Sequence, residues 1–354
     1  MSLGNNTSNV TPTGPGSGRR RMYALKEVAR SYSSPRGAKC GRVRIAPNVE
    51  VALRSGRAHF HGLLRCGSVW ECPTCSAAIR AERAKEVEAV VVWHRTNGGS
   101  PYLLSLTVRH GLGDDLKPLR AGVASAWKRF QAGAPWKRFK QRFGMRGSVR
   151  ALEVTVGPNG FHPHIHVLLL LKPLTPSEES AARLLLAERW KNVVLATLGM
   201  DALPSDAHGS DFRLCAKANY LTKLGLGMEL TAPVGKSGRG TNRSPLQVLT
   251  DFANTGDESD ALLWQKCCAG MRGARMLTWT SGLRAAAGLT AEQSDIEIVE
   301  GEDAVEEIVF SISGDQWAKL RETIGVRCAI LEAAERGGSN AVREVISHAL
   351  NGVP

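Results

Sequence analysis

The stretch that decides the fold is Ala151-Leu-Glu-Val-Thr-Val-Gly-Pro-Asn-Gly-Phe-His-Pro-His-Ile-His-Val-Leu-Leu-Leu170. Two apolar runs flank Gly157-Pro158-Asn159-Gly160, which is turn chemistry, so the stretch reads as a hairpin. A four-residue loop over that quartet sets Val156 opposite Phe161 and Thr155 opposite His162. It also sets Glu153 opposite His164 and Ala151 opposite His166. Side chains alternate along a strand, so His162, His164 and His166 share one face with Glu153, while Ile165 and Val167 point into a core. Opposed Cβ atoms lie about 4.5–5.5 Å apart, close enough for a carboxylate and imidazoles to meet one ion. The plain alternative is three histidines on a polar strand face. A buried strand, however, tolerates imidazoles only where each nitrogen is satisfied, and a metal with partners behind its ligands satisfies them. Glu153, His164, His166 and His162 are therefore candidate metal ligands.

Outward from the hairpin, the 354 residues suffice for one large domain or two ordinary ones. No run approaches the ~18 apolar residues of a membrane helix, and the first residues lack the apolar segment of a signal peptide. A cytoplasmic location without membrane association is expected. The net charge of +13 is unevenly placed: residues 291–354 hold 13 acids and 5 bases, leaving +21 on residues 1–290. That excess suggests a polyanionic partner, with nucleic acid the leading candidate.

Eight cysteines in a cytosolic chain favour metal ligation over disulfides. Cys66, Cys72 and Cys75 follow a Cys-x5-Cys-x2-Cys pattern, and Cys72-Pro-Thr-Cys75 resembles a zinc knuckle. Cys40 is the expected fourth thiolate, with His59 and His61 as substitutes. Ordinary buried thiols are the competing reading.

The remaining segments divide the chain. Residues 1–38, rich in Gly, Ser, Thr, Asn and Pro, read as a disordered basic arm, and residues 39–100 as a cysteine-rich region followed by a helix from Ser76 to Trp93. Arg80 and Arg83 on that helix are candidate phosphate contacts. Residues 101–232 hold a buried strand from Tyr102 to His110, with Arg109 a further DNA-binding candidate, a helix from Asp115 to Gln131, and the hairpin. Between these, Lys137, Arg138 and Lys140 interleave with Trp136, Phe139 and Phe143. This pattern suits either a nucleic-acid surface with stacking rings or a helix with an aromatic core stripe and a solvated basic face. Thr175-x-x-Glu178 with Pro176 opens a helix running to Leu198, and Phe212 to Lys223 is expected to be helical, placing Tyr220 and Lys223 on one face. Residues 233–290 read as a basic loop and helices. Residues 291–354 begin with eight acids and no base through residue 307 and then turn helical. The glycine-rich loop at Gly235 to Arg243 lacks P-loop spacing, so nucleotide hydrolysis is not expected.

Taken together, Cys66 to Cys75, Leu104-Ser-Leu-Thr-Val-Arg-His110, His162-Pro-His-Ile-His166 and Tyr220-Leu-Thr-Lys223 resemble the bacterial plasmid rolling-circle replication initiators of the single-tyrosine, His-hydrophobic-His (HUH) endonuclease class. The resemblance runs from about Cys40 to Leu289. It implies an α+β fold: a central antiparallel sheet with flanking helices, an N-terminal zinc-binding region and a helical C-terminal extension. It further implies metal-dependent nicking and joining of one strand of plasmid origin DNA, single-stranded or cruciform, alongside host helicase and polymerase. Tyr220 would be the nucleophile, linked to the 5′-phosphate, with Lys223 assisting. His164 and His166 would hold Mg²⁺ or Mn²⁺, and Zn²⁺ would occupy the cysteine cluster. A glutamate common one turn before that tyrosine is replaced here by Ala216, which puts the family's termination chemistry in doubt. The competing expectations are a relaxase or single-tyrosine transposase of the same chemistry, or a non-catalytic zinc-containing DNA-binding protein.

Overall fold

A computed structural model describes residues 17–54, 56–215, 242–301 and 307–351. In chain order the elements are α1 (Ser17–Arg30), α2 (Pro35–Lys39), β1 (Val49–Arg54), β2 (Arg57–His61), α3 (Pro73–Thr96), β3 (Ser100–Leu106), α4 (Leu116–Phe130) and α5 (Gly133–Arg142). The long hairpin β4 (Gly147–Gly157) and β5 (Gly160–Leu171) follows, then α6 (Pro176–Leu198) and β6 (Ser210–Leu214). The chain continues through α7 (Pro245–Thr255), α8 (Glu258–Met271), β7 (Leu277–Trp279), α9 (Leu283–Ala286), α10 (Asp295–Glu300), β8 (Glu307–Ile312), α11 (Gly314–Leu320) and α12 (Ile324–Asn351). Two compact units result: one comprises residues 1–78, 249–261 and 294–354, and the other residues 79–248 and 262–293. Both sheets are antiparallel and flanked by helices, as an α+β chain requires.

The larger unit is built on a five-stranded sheet ordered β6-β3-β5-β4-β7, so the hairpin strand β5 is its centre. Ile165, Val167, Leu168, Leu169, Leu170 and Leu171 are all buried there, which explains why an unbroken leucine run sits in a strand. α4 packs against β5 and α6. α6 starts at the expected capping box: the Thr175 hydroxyl accepts from the Glu178 amide while the Glu178 carboxylate accepts from the Thr175 amide. At the hairpin turn Gly157 pairs with Gly160, leaving Pro158 and Asn159 as the loop, one pair tighter than the four-residue loop. Gly160 has φ +87°, and a Cβ there would lie 2.9 Å from the Gly111 carbonyl, so only glycine suits this turn.

The smaller unit holds the sheet β2-β1-β8, whose inner face, with Val49, Val51, Phe60 and Ile312, packs against Trp317, Leu320, Ile330 and Leu331 of α11 and α12. Three expectations are corrected here. The arm expected to be disordered to residue 38 is helical from Ser17, because Met22, Leu25 and Ala29 bury one face of α1. Arg19 and Arg20, which the disordered basic arm would leave in solvent, pair with Glu335 and Glu332 of α12. The acidic linker and helical tail contain β8, which completes the sheet beside β1, so residues 307–351 belong to the unit's core rather than to an extension.

In the larger unit, Phe212 to Leu214 are strand and not helix. Residues 210–214 pair along β3, with Phe212 stacked on Tyr102 at 5.2 Å. Tyr220 and Lys223 lie outside the described residues, as do all residues from Ala216 to 241.

Candidate functional site

The register of β4 and β5 places Glu153 opposite His164, Ala151 opposite His166 and Thr155 opposite His162. Strand β3 lies on the other side of β5, with Ser105 opposite His166. Cross-strand pairing then brings the ligand atoms of Glu153, His164 and His166 within 4.8 Å of one another. One carboxylate oxygen, Oε2 of Glu153, lies 3.1 Å from His164 Nε2 and 3.2 Å from His166 Nε2. The Nδ1 atoms face outward. His164 Nδ1 lies 3.1 Å from the His162 carbonyl, an acceptor only, so it carries the proton there. His166 Nδ1 lies 2.8 Å from Ser105 Oγ.

In a neutral His164 ring this geometry would set an Nε2 lone pair against a carboxylate lone pair, whereas the protonated ring donates from Nε2 to Glu153 Oε2 and from Nδ1 to the His162 carbonyl. Two acceptors in contact repel unless a proton or a cation stands between them. His166 Nε2 is buried and makes no well-aligned hydrogen bond among the described residues, despite its proximity to Glu153. Burial alone would raise the Glu153 pKa, but hydrogen bonds and charge from His164 and His166 hold it at about 2. The two rings respond oppositely. Burial lowers both, and Glu153 overcomes it at His164, whereas at His166 burial and the neighbouring His164 prevail. The difference follows the better alignment of the His164 contact. A half-buried carboxylate flanked by two imidazole nitrogens is a donor set suited to a divalent cation with open positions.

His162 stands apart from this set. Its ring lies 5.0 Å from that of His164 and 4.7 Å from that of His110, centroid to centroid, and its Nε2 is buried without a hydrogen-bond partner among the described residues. Burial, His164 and His110 together push its pKa down to about 4. A strand alternates faces but also advances roughly 6.6–6.8 Å every two residues, so His162 sits one step too far toward the turn to join. His110 Nδ1 donates to the Asn159 carbonyl at 3.0 Å and fixes that end of the hairpin.

In the smaller unit the four thiols Cys40, Cys66, Cys72 and Cys75 form a second cluster. Sulfur separations are 3.8 Å for Cys40–Cys72, 3.5 Å for Cys40–Cys75 and 3.7 Å for Cys66–Cys75. A tetrahedral zinc with Zn–S of about 2.3 Å requires S···S of roughly 3.8 Å. The fourth ligand position is Cys40 rather than His61, which is exposed on β2. Sequence reading overlooked two cations beside these sulfurs. Lys26 Nζ lies 3.3 Å from Cys40 Sγ, and burial, which lowers its pKa, is more than offset by the charge of Cys72 and Cys40. Burial likewise lowers the Arg65 pKa, and Cys75, Tyr23 and Cys40 more than offset it. Four thiolates around one divalent ion would carry a surplus of negative charge, which buried Lys26 and half-buried Arg65 would offset. No spacing rule points to Lys26, since it comes from a helix that reads as arm.

The DNA-binding candidates separate by exposure. Arg109, Lys137, Arg138 and Lys140 are exposed, and Arg80 is half-buried. Arg83 is corrected: it is buried, its guanidinium paired with Glu86 at 2.9 Å and reaching the Gln293 carbonyl at 2.5 Å. For the rings among the basic residues of α5, the second of the two readings holds. Trp136, Phe139 and Phe143 are buried, with Trp136 stacked on Phe139 at 5.2 Å, so they form a core stripe under a basic face and are not open for stacking on bases.

Comparison with known proteins gives consistent matches. The family model described as "Replication protein" matches residues 60–204, which include three of the four clustered cysteines and the whole hairpin. "Protein rep" of Streptomyces lividans is 30% identical, covering 71% of this chain and 70% of its own length. A "Neomycin resistance protein" of Streptomyces cyanogenus is 37% identical over 41% of each chain. No solved structure matches significantly.

Proposed function

Because this chain belongs to the replication-protein family, we propose that it is a plasmid rolling-circle replication initiator that nicks and rejoins one origin strand. The observation that carries this reading is the convergence of Glu153, His164 and His166 on one point of the central strand. A divalent ion there, Mg²⁺ or Mn²⁺, would polarise a non-bridging oxygen of the scissile phosphate and orient it for in-line attack. Two imidazoles and one carboxylate leave positions open for that oxygen and for water.

The Tyr220 hydroxyl is the proposed nucleophile. Its oxygen bonds to phosphorus, the 3′-oxygen leaves and takes a proton, and the strand ends as a free 3′-OH and a 5′-phosphotyrosine. Tyrosine ionises near pH 10 and needs assistance at neutral pH. Lys223, three residues on in the chain, would supply positive charge to the phenolate and to the crowded phosphate. Elimination supports the choice. Tyr102 sits on the opposite sheet face from His166 and is buried, with its hydroxyl accepting from the Leu174 amide. Exposed Arg109, Lys137, Arg138 and Lys140 would track the DNA backbone, and Arg83 would not.

The experiment is an origin-nicking assay with and without chelator. Cleavage of a labelled origin strand should require added Mg²⁺ or Mn²⁺ and stop in EDTA; undiminished cleavage in EDTA would sink the metal reading.

The thiolate cluster would hold structural zinc. Purified protein should carry about one tightly bound Zn²⁺, since soft thiolates select it. Zinc of this kind couples to folding. Cys72→Ser should therefore lower the melting temperature and weaken DNA binding before it alters the nicking step. Active protein with no zinc by metal analysis would reduce the cluster to buried thiols.

A further inference from the structure

We infer that Ser105 is a positioning residue for the Glu153–His164–His166 site, acting through its hydrogen bond to His166 Nδ1. The inference rests on the metal reading of that site. Ser105 lies on β3 directly across from His166, with Oγ 2.8 Å from Nδ1. Its strand neighbours Leu104 and Leu106 are fully buried on the other face, so within Leu-Leu-Ser-Leu only this side chain faces the imidazole.

The two histidines are oriented by unlike partners. His164 Nδ1 meets a backbone carbonyl, which only accepts, so in the neutral ring Nε2 is the lone pair that a cation would meet. His166 Nδ1 meets a hydroxyl, which both donates and accepts. When the hydroxyl accepts, His166 carries its proton on Nδ1 and offers Nε2 to a cation. When the hydroxyl donates, the proton moves to Nε2, which then faces Glu153 Oε2 at 3.2 Å. Ser105 thus lets one imidazole serve both as ligand and, without an ion, as donor to the half-buried carboxylate. Removing the hydroxyl strips Nδ1 of its partner in both forms and frees the ring to rotate away from the common point.

Ser105→Thr and Ser105→Val make the cleanest test, since both β-branched residues suit a strand and differ only in the hydroxyl. The readout is Mn²⁺ affinity of the full chain, measured by electron paramagnetic resonance of the free ion, with no DNA present. Ser105→Val should bind Mn²⁺ about 10-fold or more weakly, within the range for partners behind metal-bound histidines, and Ser105→Thr should keep most of the affinity. In metal-free protein, ¹⁵N NMR of the His166 ring should report a defined tautomer in the wild type and Ser105→Thr and a mixture in Ser105→Val. Equal Mn²⁺ affinity in the Thr and Val variants, or loss in both, overturns the inference, as does a His166 ring signature identical in both. Glu153→Ala is the control for the parent reading. If it leaves Mn²⁺ binding intact, the metal site itself fails, whereas the ring signature still tests the role of Ser105.

Discussion

Tyr220→Phe abolishes the covalent protein–DNA adduct while leaving DNA binding nearly unchanged: this is the largest effect expected of any substitution in the chain. The variant lacks one oxygen, and that oxygen is the atom proposed to bond to phosphorus, so no residual chemistry can replace it. Affinity should hold because the proposed DNA contacts lie on exposed bases elsewhere, including Lys137, Arg138 and Lys140 on α5. Denaturing electrophoresis of a reaction with an origin strand labelled at the scissile phosphate, followed by peptide mapping, would show label on Tyr220 in the wild type. The chain has four tyrosines. Tyr102 is ruled out as an alternative nucleophile by burial and sheet face, so label persisting in Tyr220→Phe would point away from a tyrosine mechanism in the larger unit altogether.

His164→Ala and His166→Ala should each lower the nicking rate by roughly 100-fold or more, because each removes one of the three groups proposed to hold the ion. Glu153→Ala should cost less in rate, since water can take an oxygen position, but should lower divalent-ion affinity. All three should still fold. The apolar side of β5, with Ile165, Val167 and Leu169, is untouched, and truncating His166 removes a buried nitrogen that has no well-aligned partner. Melting temperatures near the wild type together with unchanged nicking would show that the convergence of these groups does not serve catalysis. His162→Ala separates the three histidines: lying outside the ligand set, it should act on the packing of the hairpin tip against His110 and only weakly on metal affinity.

Much of this was legible in the chain. Period-two alternation and a Gly-Pro-Asn-Gly turn fixed the register of the central hairpin, and with it the shared face of Glu153, His164 and His166, because a pleated strand leaves side chains only two directions. Capping chemistry likewise placed α6, and thiol spacing placed three of four cysteines. Local rules go no further than local geometry. The hydroxyl of Ser105 and the ammonium of Lys26 reach their sites from a strand and a helix distant in sequence, and only the packed tertiary structure brings them there. The same limit explains the misreadings. α1 reads as a polar arm until α12 supplies Glu332 and Glu335 for its arginines, β8 hides in an acidic stretch until β1 offers it an edge, and Arg83 looks like a phosphate contact until Glu86 and the Gln293 carbonyl claim it. A charged side chain carries the same sequence signal whether it meets solvent, DNA or a buried partner, and which of these it meets is settled by the desolvation and pairing that only the folded chain provides.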